Sequence, residues 1–440
     1  MLFTNLVFVF FFLPFFLLLF YLLPKKYRSF FLFVGSVVFY LYSGLFNANL
    51  FLTISILDFF FVLFFSSRKH RHLLLSILAF VNLGTLFFFK YQSSFVLPLG
   101  ISFYMFHQIM YILDVRNKKM GVEKNLFSYL TYITCFPYVT MGPLISYSDI
   151  KKQLEDLSFS LDSFYSGLKR FLFGFSKKVL LADNLGILYQ QVYSINHVSV
   201  SSCVFSLIVF ALQLYLDFSS YTDMAIGIGK MLHLSLPENF DHPYLATNVS
   251  DFWRRWHMTL TSFLKNYVYI PLGGNRVSSL RHIFNLLVVW VLTGIWHGTT
   301  FNFLLWGLYY FFILLFEKYF LLKYLEKFPK IIQHFYTLIL VLFGYSLFCI
   351  TSPKELFTFY DHLFHSPICN SNLLFYLKEN IILLLISIIL CTRIPYFLIQ
   401  KDTDCLAVSV INDLFLILLF FLSITYLLSG SYSPFLYNAF

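Results

Sequence analysis

A histidine between two glycines carries the strongest chemical signal in this sequence. Gly294, Trp296, His297 and Gly298 form a short polar island between apolar runs at 284–290 and 301–316. An ionisable group within the hydrocarbon layer costs about 2 to 3 kcal/mol or more, so such groups usually mark chemistry or a permeation path. A lone membrane histidine can also be a hydrogen-bonded packing residue. We interpret His297 as the reacting centre.

The expected depth of His297 favours this interpretation. The apolar run that starts near Ile283 is about 15 residues long and would rise about 22 Å as a helix. A hydrocarbon core of about 30 Å is not crossed by that length. We therefore expect His297 at a helix end within the membrane, where Gly294 and Gly298 leave room for something to approach.

A histidine in that position could act as a general base. It could take a proton from a hydroxyl that attacks a thioester carbonyl, a role that contributes about 100- to 10,000-fold. The resulting oxyanion needs hydrogen-bond donors, for which Trp296, Asn302 and a freed backbone amide are candidates. No G-x-S-x-G, P-loop, H-E-x-x-H or paired-cysteine motif competes, and we expect no metal site.

A second polar region runs from 217 to 276 and is too polar for a span and too aromatic for a free loop. Between 251 and 265 the pattern predicts a helix at the membrane interface or dipping into the bundle. His257 would support the site by binding or orienting, or else cap that helix; we favour the first role. The candidate substrate-binding residues are Asp217, Asp223, Trp253, Arg254, Arg255, Trp296 and Asn302. The two arginines could equally be interfacial anchors.

The elements that position these residues must be membrane helices. Of the 440 residues, 59% are hydrophobic and 12% are charged, against about 25% charged in ordinary soluble domains. This composition predicts an all-α, polytopic transmembrane bundle of about ten to twelve spans. No long polar linker divides the chain, so we expect one domain over 1–440. The formal charge of +10 is explained by cytoplasmic loops, and we expect membrane lipid rather than nucleic acid as a partner.

Basic residues predict the orientation of the chain. Lys25, Lys26 and Arg28 follow the first apolar run, which favours a retained span with its N-terminus outside. More basic residues follow the stretch 126–145, which would move them outside if it crossed fully. We therefore predict that this stretch, interrupted by prolines, enters the membrane and returns. Residues 195–202 are then outside and 230–281 are cytoplasmic.

Taken together, the motifs resemble the membrane-bound O-acyltransferase family, in the bacterial branch of alginate and peptidoglycan O-acetylation. The matching stretches are 97–104, 111–115, 174–184, 217–227, 239–244, 252–276 and 293–306. The resemblance implies a ring of tilted helices around a central membrane tunnel, with a cytoplasmic entrance for the donor and an external opening for the acceptor. It also implies that His297 matches the family's catalytic histidine and His257 its second histidine.

We therefore expect an enzyme of the bacterial cytoplasmic membrane that binds no cofactor and takes acetyl from a cytoplasmic thioester, acetyl-CoA. The acceptor would be a cell-envelope polysaccharide, reached directly or through a periplasmic partner acetyltransferase. Peptidoglycan is the first candidate and an alginate-like polymer the second. Teichoic-acid D-alanylation is an alternative. A transporter or channel that uses intramembrane His and Asp residues is the other alternative, although no internal repeat is found.

Overall fold

The computed structural model describes residues 2–92, 97–195, 198–395 and 406–430, and within these ranges all regular structure is helical. The helices are α1 (Leu13–Leu22), α2 (Lys25–Leu41), α3 (Leu45–Ser66), α4 (Arg71–Tyr91), α5 (Ile101–Arg116), α6 (Leu126–Thr134), α7 (Tyr147–Glu155), α8 (Leu161–Ser176), α9 (Asp183–Tyr193), α10 (Val200–Met231), α11 (Val249–Arg255), α12 (Met258–Leu264), α13 (Ser279–His297), α14 (Phe301–Phe316), α15 (Leu322–Leu325), α16 (Lys330–Cys349), α17 (Pro353–His365), α18 (Ser371–Glu379), α19 (Ile381–Leu390) and α20 (Leu406–Leu428). Short π-helical turns occur at Phe8–Phe12, Lys177–Ala182, Lys265–Tyr269 and Glu317–Leu321, and a 3₁₀ turn at Pro243–Leu245.

The prediction of an all-α, polytopic membrane protein is confirmed. Within the described ranges, seven helices are long and apolar enough to cross a membrane, and an eighth span results if α18 and α19, bent by 65°, count as one. This number is lower than the expected ten to twelve because several apolar runs form shorter helices. The first apolar run, for example, forms the shorter helix Phe8–Leu22. The ring and the central tunnel stay predictions.

The chain divides into two compact units, each discontinuous in sequence. The first comprises Met1–Phe175 with Tyr221–Glu238, and the second comprises Ser176–Ser220 with Asn239–Phe440. Each unit combines segments from two parts of the chain. The single domain over 1–440 stays a prediction.

In the first unit, the interrupted stretch between α6 and α7 is buried in protein. Helix α6 ends at Thr134, and irregular turns continue with buried side chains to Ile145. Polar side chains satisfy the freed backbone: the Phe136 amide donates to Ser36 Oγ (3.1 Å), and Tyr132 Oη donates to the carbonyl of Ile145 (2.9 Å). Irregular backbone buried in this way is the kind tolerated at membrane depth.

In the second unit, α13 and α14 form a closely packed antiparallel pair. A Cβ atom at Gly294 would lie 2.5 Å from the carbonyl oxygen of Phe303, and a Cβ at Gly307 would collide with the carbonyl of Trp290. Glycine at both positions lets the two backbones approach. The connection after His297 is therefore held firmly against the start of α14.

The predicted interfacial helix over 251–265 is two short helices rather than one. Helix α11 ends at Arg255, and α12 starts at Met258 after a break at which His257 has a left-handed φ of 44°. The buried carboxylate of Glu317 caps α11, accepting hydrogen bonds from the amides of Val249 (2.7 Å) and Ser250 (3.0 Å). A carboxylate at a helix N-terminus satisfies amides that lack intrahelical partners and complements the helix dipole.

Candidate active site

His257 and His297 line the same cavity, which lies wholly within the second unit and has a volume of about 190 Å³. Its wall is mostly apolar and is formed by Trp253, Trp256, His257, Leu260, Thr261, Leu264, Lys265, Tyr269, Leu286, Val289, Trp290, Thr293 and His297. The sequence predicted that the two histidines act together, and the fold brings them to one space. The assignment of catalysis to them stays a prediction.

His297 is the last residue of α13, as the length of the apolar run predicted. Its side chain is 5% exposed and lies among aromatic rings, with centroid distances of 4.6 Å to Trp296, 4.8 Å to Trp306 and 5.0 Å to Phe348. Such apolar walls hold the imidazole in place and exclude bulk water. Any hydrogen bond formed here is electrostatically stronger than it would be in water.

The room left by the glycines around His297 is filled by α14. A Cβ at Gly298 would collide with the ring of Phe303, as a Cβ at Gly294 would approach the Phe303 carbonyl. The space that we expected these glycines to leave for a ligand is thus occupied by α14. His297 also lines the cavity that it shares with His257.

The surroundings of His257 define its tautomer. Its Nδ1 lies 3.0 Å from Asn239 Oδ1, an atom that also accepts hydrogen bonds from the Thr259 amide (3.2 Å) and hydroxyl (3.0 Å). A backbone N–H can only donate, so this Asn239 atom is the amide oxygen, and His257 must donate its Nδ1–H to it. The lone pair is then on Nε2. Burial lowers the pKa of His257 to about 3, so the ring is neutral near pH 7.

Indole and phenol groups surround the histidines. Trp253 packs edge-on against Trp290 (5.0 Å between centroids), Trp306 (5.5 Å) and Tyr310 (4.8 Å). Trp253 Nε1, Trp306 Nε1 and Tyr310 Oη are buried and have no hydrogen-bond partner within the described residues. Trp306, which contacts His297 directly, is a candidate oxyanion donor that sequence reasoning missed. Its position one α14 turn beyond Asn302 is a signal that could have found it.

The cavity has one basic group at its exposed end. Lys265 follows α12 and is exposed, whereas both histidines are deeply buried. A ligand that fills this space would therefore place an apolar segment along the tryptophans and could place an anionic group at Lys265.

Most of the other candidate substrate-binding residues are not among those that line this cavity. Trp253 lines it, and Trp296 contacts His297. Asp217 is paired with Lys178 (2.7 Å), whose Nζ also lies 2.5 Å from Asp183. Asp223, in the first unit, is paired with Arg170 (3.0 Å).

Arg254, Arg255 and Asn302 also make contacts within the protein. Arg254 is exposed and 3.4 Å from Asp251, and Arg255 contacts Asp251 (2.9 Å) and Asp241 (3.2 Å). Asn302 donates to the carbonyl of Ile350. A role in substrate binding stays a prediction for all of these residues.

This arrangement suits proton transfer at buried imidazoles in a mostly apolar cavity. A search of the described residues finds no group of three or more His, Cys, Asp or Glu side chains able to hold a metal ion. What the site offers is two buried imidazoles, indole donors and an apolar slot. A polytopic membrane protein with such a site has the features of a membrane-embedded group-transfer enzyme.

Comparison with known proteins identifies the class. Residues 37–362 match the model of the membrane-bound O-acyltransferase family. The chain belongs to this family and is an acyltransferase, as the resemblance of its motifs predicted. This family assignment removes the transporter alternative as the main function.

Individual relatives agree with the family assignment. A protein named "Probable alginate O-acetylase AlgI" from Azotobacter vinelandii is 32% identical over 375 residues, covering 79% of this chain and 75% of the relative. The "Peptidoglycan O-acetyltransferase" of Helicobacter pylori is 33% identical over 291 residues, 55% of this chain and 54% of the relative. The "Teichoic acid D-alanyltransferase" of Bacillus subtilis is 25% identical over 224 residues, which cover 48% of this chain and 56% of the relative.

Proposed function

We propose that this protein transfers an acetyl group from acetyl-CoA, supplied on the cytoplasmic side, to a hydroxyl that reaches His297 from the opposite side. The observation that carries the proposal is the shared cavity of His257 and His297, with Lys265 at its exposed end. A thioester on a long, thin arm fits an apolar slot of this kind, because its anionic groups stay at Lys265 while the acyl end reaches the histidines.

In this mechanism, His297 takes the proton from the acceptor hydroxyl as its oxygen attacks the thioester carbonyl carbon. The carbonyl oxygen becomes an oxyanion, which the indole N–H groups of Trp306 and Trp253 stabilise. The carbon–sulfur bond then breaks, and the leaving thiolate takes the proton back from His297. The products are an ester and a free thiol. His257 offers a hydrogen-bond acceptor at Nε2 that orients the donor.

We propose a cell-envelope polysaccharide as the final acceptor. The match to the alginate O-acetylase covers three quarters of that relative, whereas the match to the peptidoglycan enzyme covers about half. This difference favours an alginate-like polymer over peptidoglycan and reverses the order given by sequence alone. Delivery is direct or passes through a periplasmic partner acetyltransferase.

The proposed location is the bacterial cytoplasmic membrane, with the N-terminus outside and residues 230–281 inside. The distribution of basic residues supports this orientation. Lys265 then faces the cytoplasm, where acetyl-CoA is available. The acceptor side lies beyond the His297 end of α13.

Replacing His297 tests the mechanism. With His297→Ala, transfer of radiolabelled acetyl from acetyl-CoA by the purified protein should fall at least 100-fold, because the proton acceptor is lost. His70→Ala, at an exposed position before α4, is the matched control and should keep full activity. Undiminished transfer by folded His297→Ala protein would refute the role of His297.

A further inference from the structure

A second cleft in the same unit is distinct from the histidine cavity. It has a volume of about 400 Å³ and is formed where the end of α9, the start of α10 and the amphipathic helix α17 meet. Among its lining residues are Tyr193, Lys354, Glu355, Thr358 and His362. This volume lies within the range of about 300 to 1,000 Å³ that is usual for small-molecule sites.

A short stretch of chain connects the cleft to the His297 end of the active site. The ring of His297 contacts Phe348, and α16 ends one residue later at Cys349. Asn302, in the first turn of α14, donates to the carbonyl of Ile350. Ser352 then caps α17 and lines the cleft. Lys265 lies at the exposed end of the histidine cavity, and the proposed topology places the start of α10, which contributes to the cleft, on the side assigned to the acceptor.

The side chains of the cleft combine charge with an aromatic surface. Lys354 and Glu355 are exposed in the first turn of α17, and the described residues place no acidic group within 4.0 Å of the Lys354 ammonium. Tyr193 is 39% exposed and Phe359 adds a buried ring. A carboxylate accepts hydrogen bonds from paired hydroxyls, and aromatic faces pack against the C–H surface of a sugar ring.

We propose that this cleft binds a saccharide unit of the acceptor polymer and holds it while a neighbouring hydroxyl is presented to His297. The inference rests on the proposed acetyl transfer for its purpose, but not for the binding itself. Glu355 binds sugar hydroxyls, and Lys354 pairs with the carboxylate of an acidic sugar such as a uronate. The cleft would thus select among envelope polymers by charge.

Binding of defined oligosaccharides tests the proposal. The full-length protein in detergent is titrated calorimetrically with the tetramer of mannuronic acid and with the tetramer of N-acetylglucosamine. Glu355→Gln should weaken both by about tenfold, because a charge-assisted hydrogen bond is lost. Lys354→Gln should weaken only the uronate by about tenfold. Glu379→Gln, at an exposed position in α18 outside the cleft, is the matched control.

A second measurement separates this proposal from the proposed function. Release of acetate from acetyl-CoA depends on His297 and should be unchanged in Glu355→Gln and Lys354→Gln. Unchanged tetramer affinity in Glu355→Gln, or no tetramer binding by the unmodified protein, would overturn the saccharide site. So would loss of polymer acetylation in cells with unchanged tetramer affinity, which would indicate a protein in the cleft. If no acetate is released but the tetramers still bind in a Glu355-dependent way, acetyl transfer is refuted and the saccharide site is supported.

Discussion

At the scale of single residues, the tautomer of His257 is set by Asn239. One amide oxygen accepts from His257 Nδ1 and from two groups of Thr259, which fixes the ring orientation and leaves Nε2 as the acceptor. Asn239 lies outside the cavity lining and acts through His257 as a positioning residue. A correct tautomer in a buried ring is maintained only while such a partner is present.

Asn239→Ala should lower kcat by about tenfold or more, because the Nδ1–H loses its acceptor and the ring can reorient. Asn239→Asp should restore the hydrogen bond but add a charge that favours the imidazolium form, giving activity that falls steeply below pH 7. Steady-state kinetics from pH 5 to 9 distinguish the two variants. Asn47→Ala, in α3 of the first unit, is the control. Identical pH profiles for Asn239→Asp and the parent would contradict this role.

The low pKa of His257 predicts a pH dependence of stability. The folded ring, with a pKa of about 3, stays neutral at pH 5, whereas the unfolded ring, with a pKa near 6.5, takes up a proton. The contribution of the neutral His257 ring to the free energy of unfolding is therefore fully present above pH 6.5. It decreases as the pH falls and is smaller by about 2 kcal/mol at pH 5. The decrease in melting temperature between pH 7 and pH 5, measured in detergent, should be smaller in His257→Gln. An equal decrease in both proteins would contradict this origin.

Sequence reasoning located the two histidines but not their partners. His297 was identifiable because a polar group at the end of a short apolar run is rare. The contacts of Asp217 with Lys178 and of Asp223 with Arg170 join residues far apart in sequence, and no spacing rule relates them. In the fold both carboxylates are ion-paired, and their role as ligand groups stays a prediction.

At the scale of elements, the α13–α14 pair sets the position of His297. The end of α13 at His297 could be predicted from the length of the apolar run. The close approach of α14 could not, because a glycine in a membrane helix is compatible with either a ligand or a neighbouring backbone. The break between α11 and α12 was also missed, since a left-handed histidine leaves no pattern in hydrophobic periodicity.

Gly294→Ala should destabilise the protein by about 1 to 3 kcal/mol, because the added methyl group meets a backbone carbonyl that has no room to move. Activity should fall with it, since α14 carries Trp306. Gly84→Ala in α4 is the matched control: nothing lies within 4 Å of its added Cβ, so its stability should be unchanged or slightly increased. Melting temperatures in detergent provide the measurement, and similar values for both variants would contradict the packing argument.

At the scale of the whole molecule, the proposed transfer requires the two ends of α13 to face opposite sides of the membrane. Cys369, in the exposed connection between α17 and α18, provides a native probe of orientation. The proposed topology puts this connection outside, since α16 runs from a basic start toward the His297 side.

A membrane-impermeant maleimide added to intact cells should therefore label the protein at Cys369. The signal should disappear in Cys369→Ser, which serves as the control for the other cysteines. Labelling of Cys369 only after the cells are permeabilised would reverse the topology, and with it the sides assigned to donor and acceptor.

The Glu317 carboxylate makes the start of α11 depend on a residue that is distant in sequence. It holds the first turn of α11 although it lies 68 residues from Val249, and α11 leads directly to His257. A random-mutagenesis screen scored on enzyme output alone would group Glu317 with the histidines. Transfer of α11 and His257 into another protein would therefore require the segment that carries Glu317 as well.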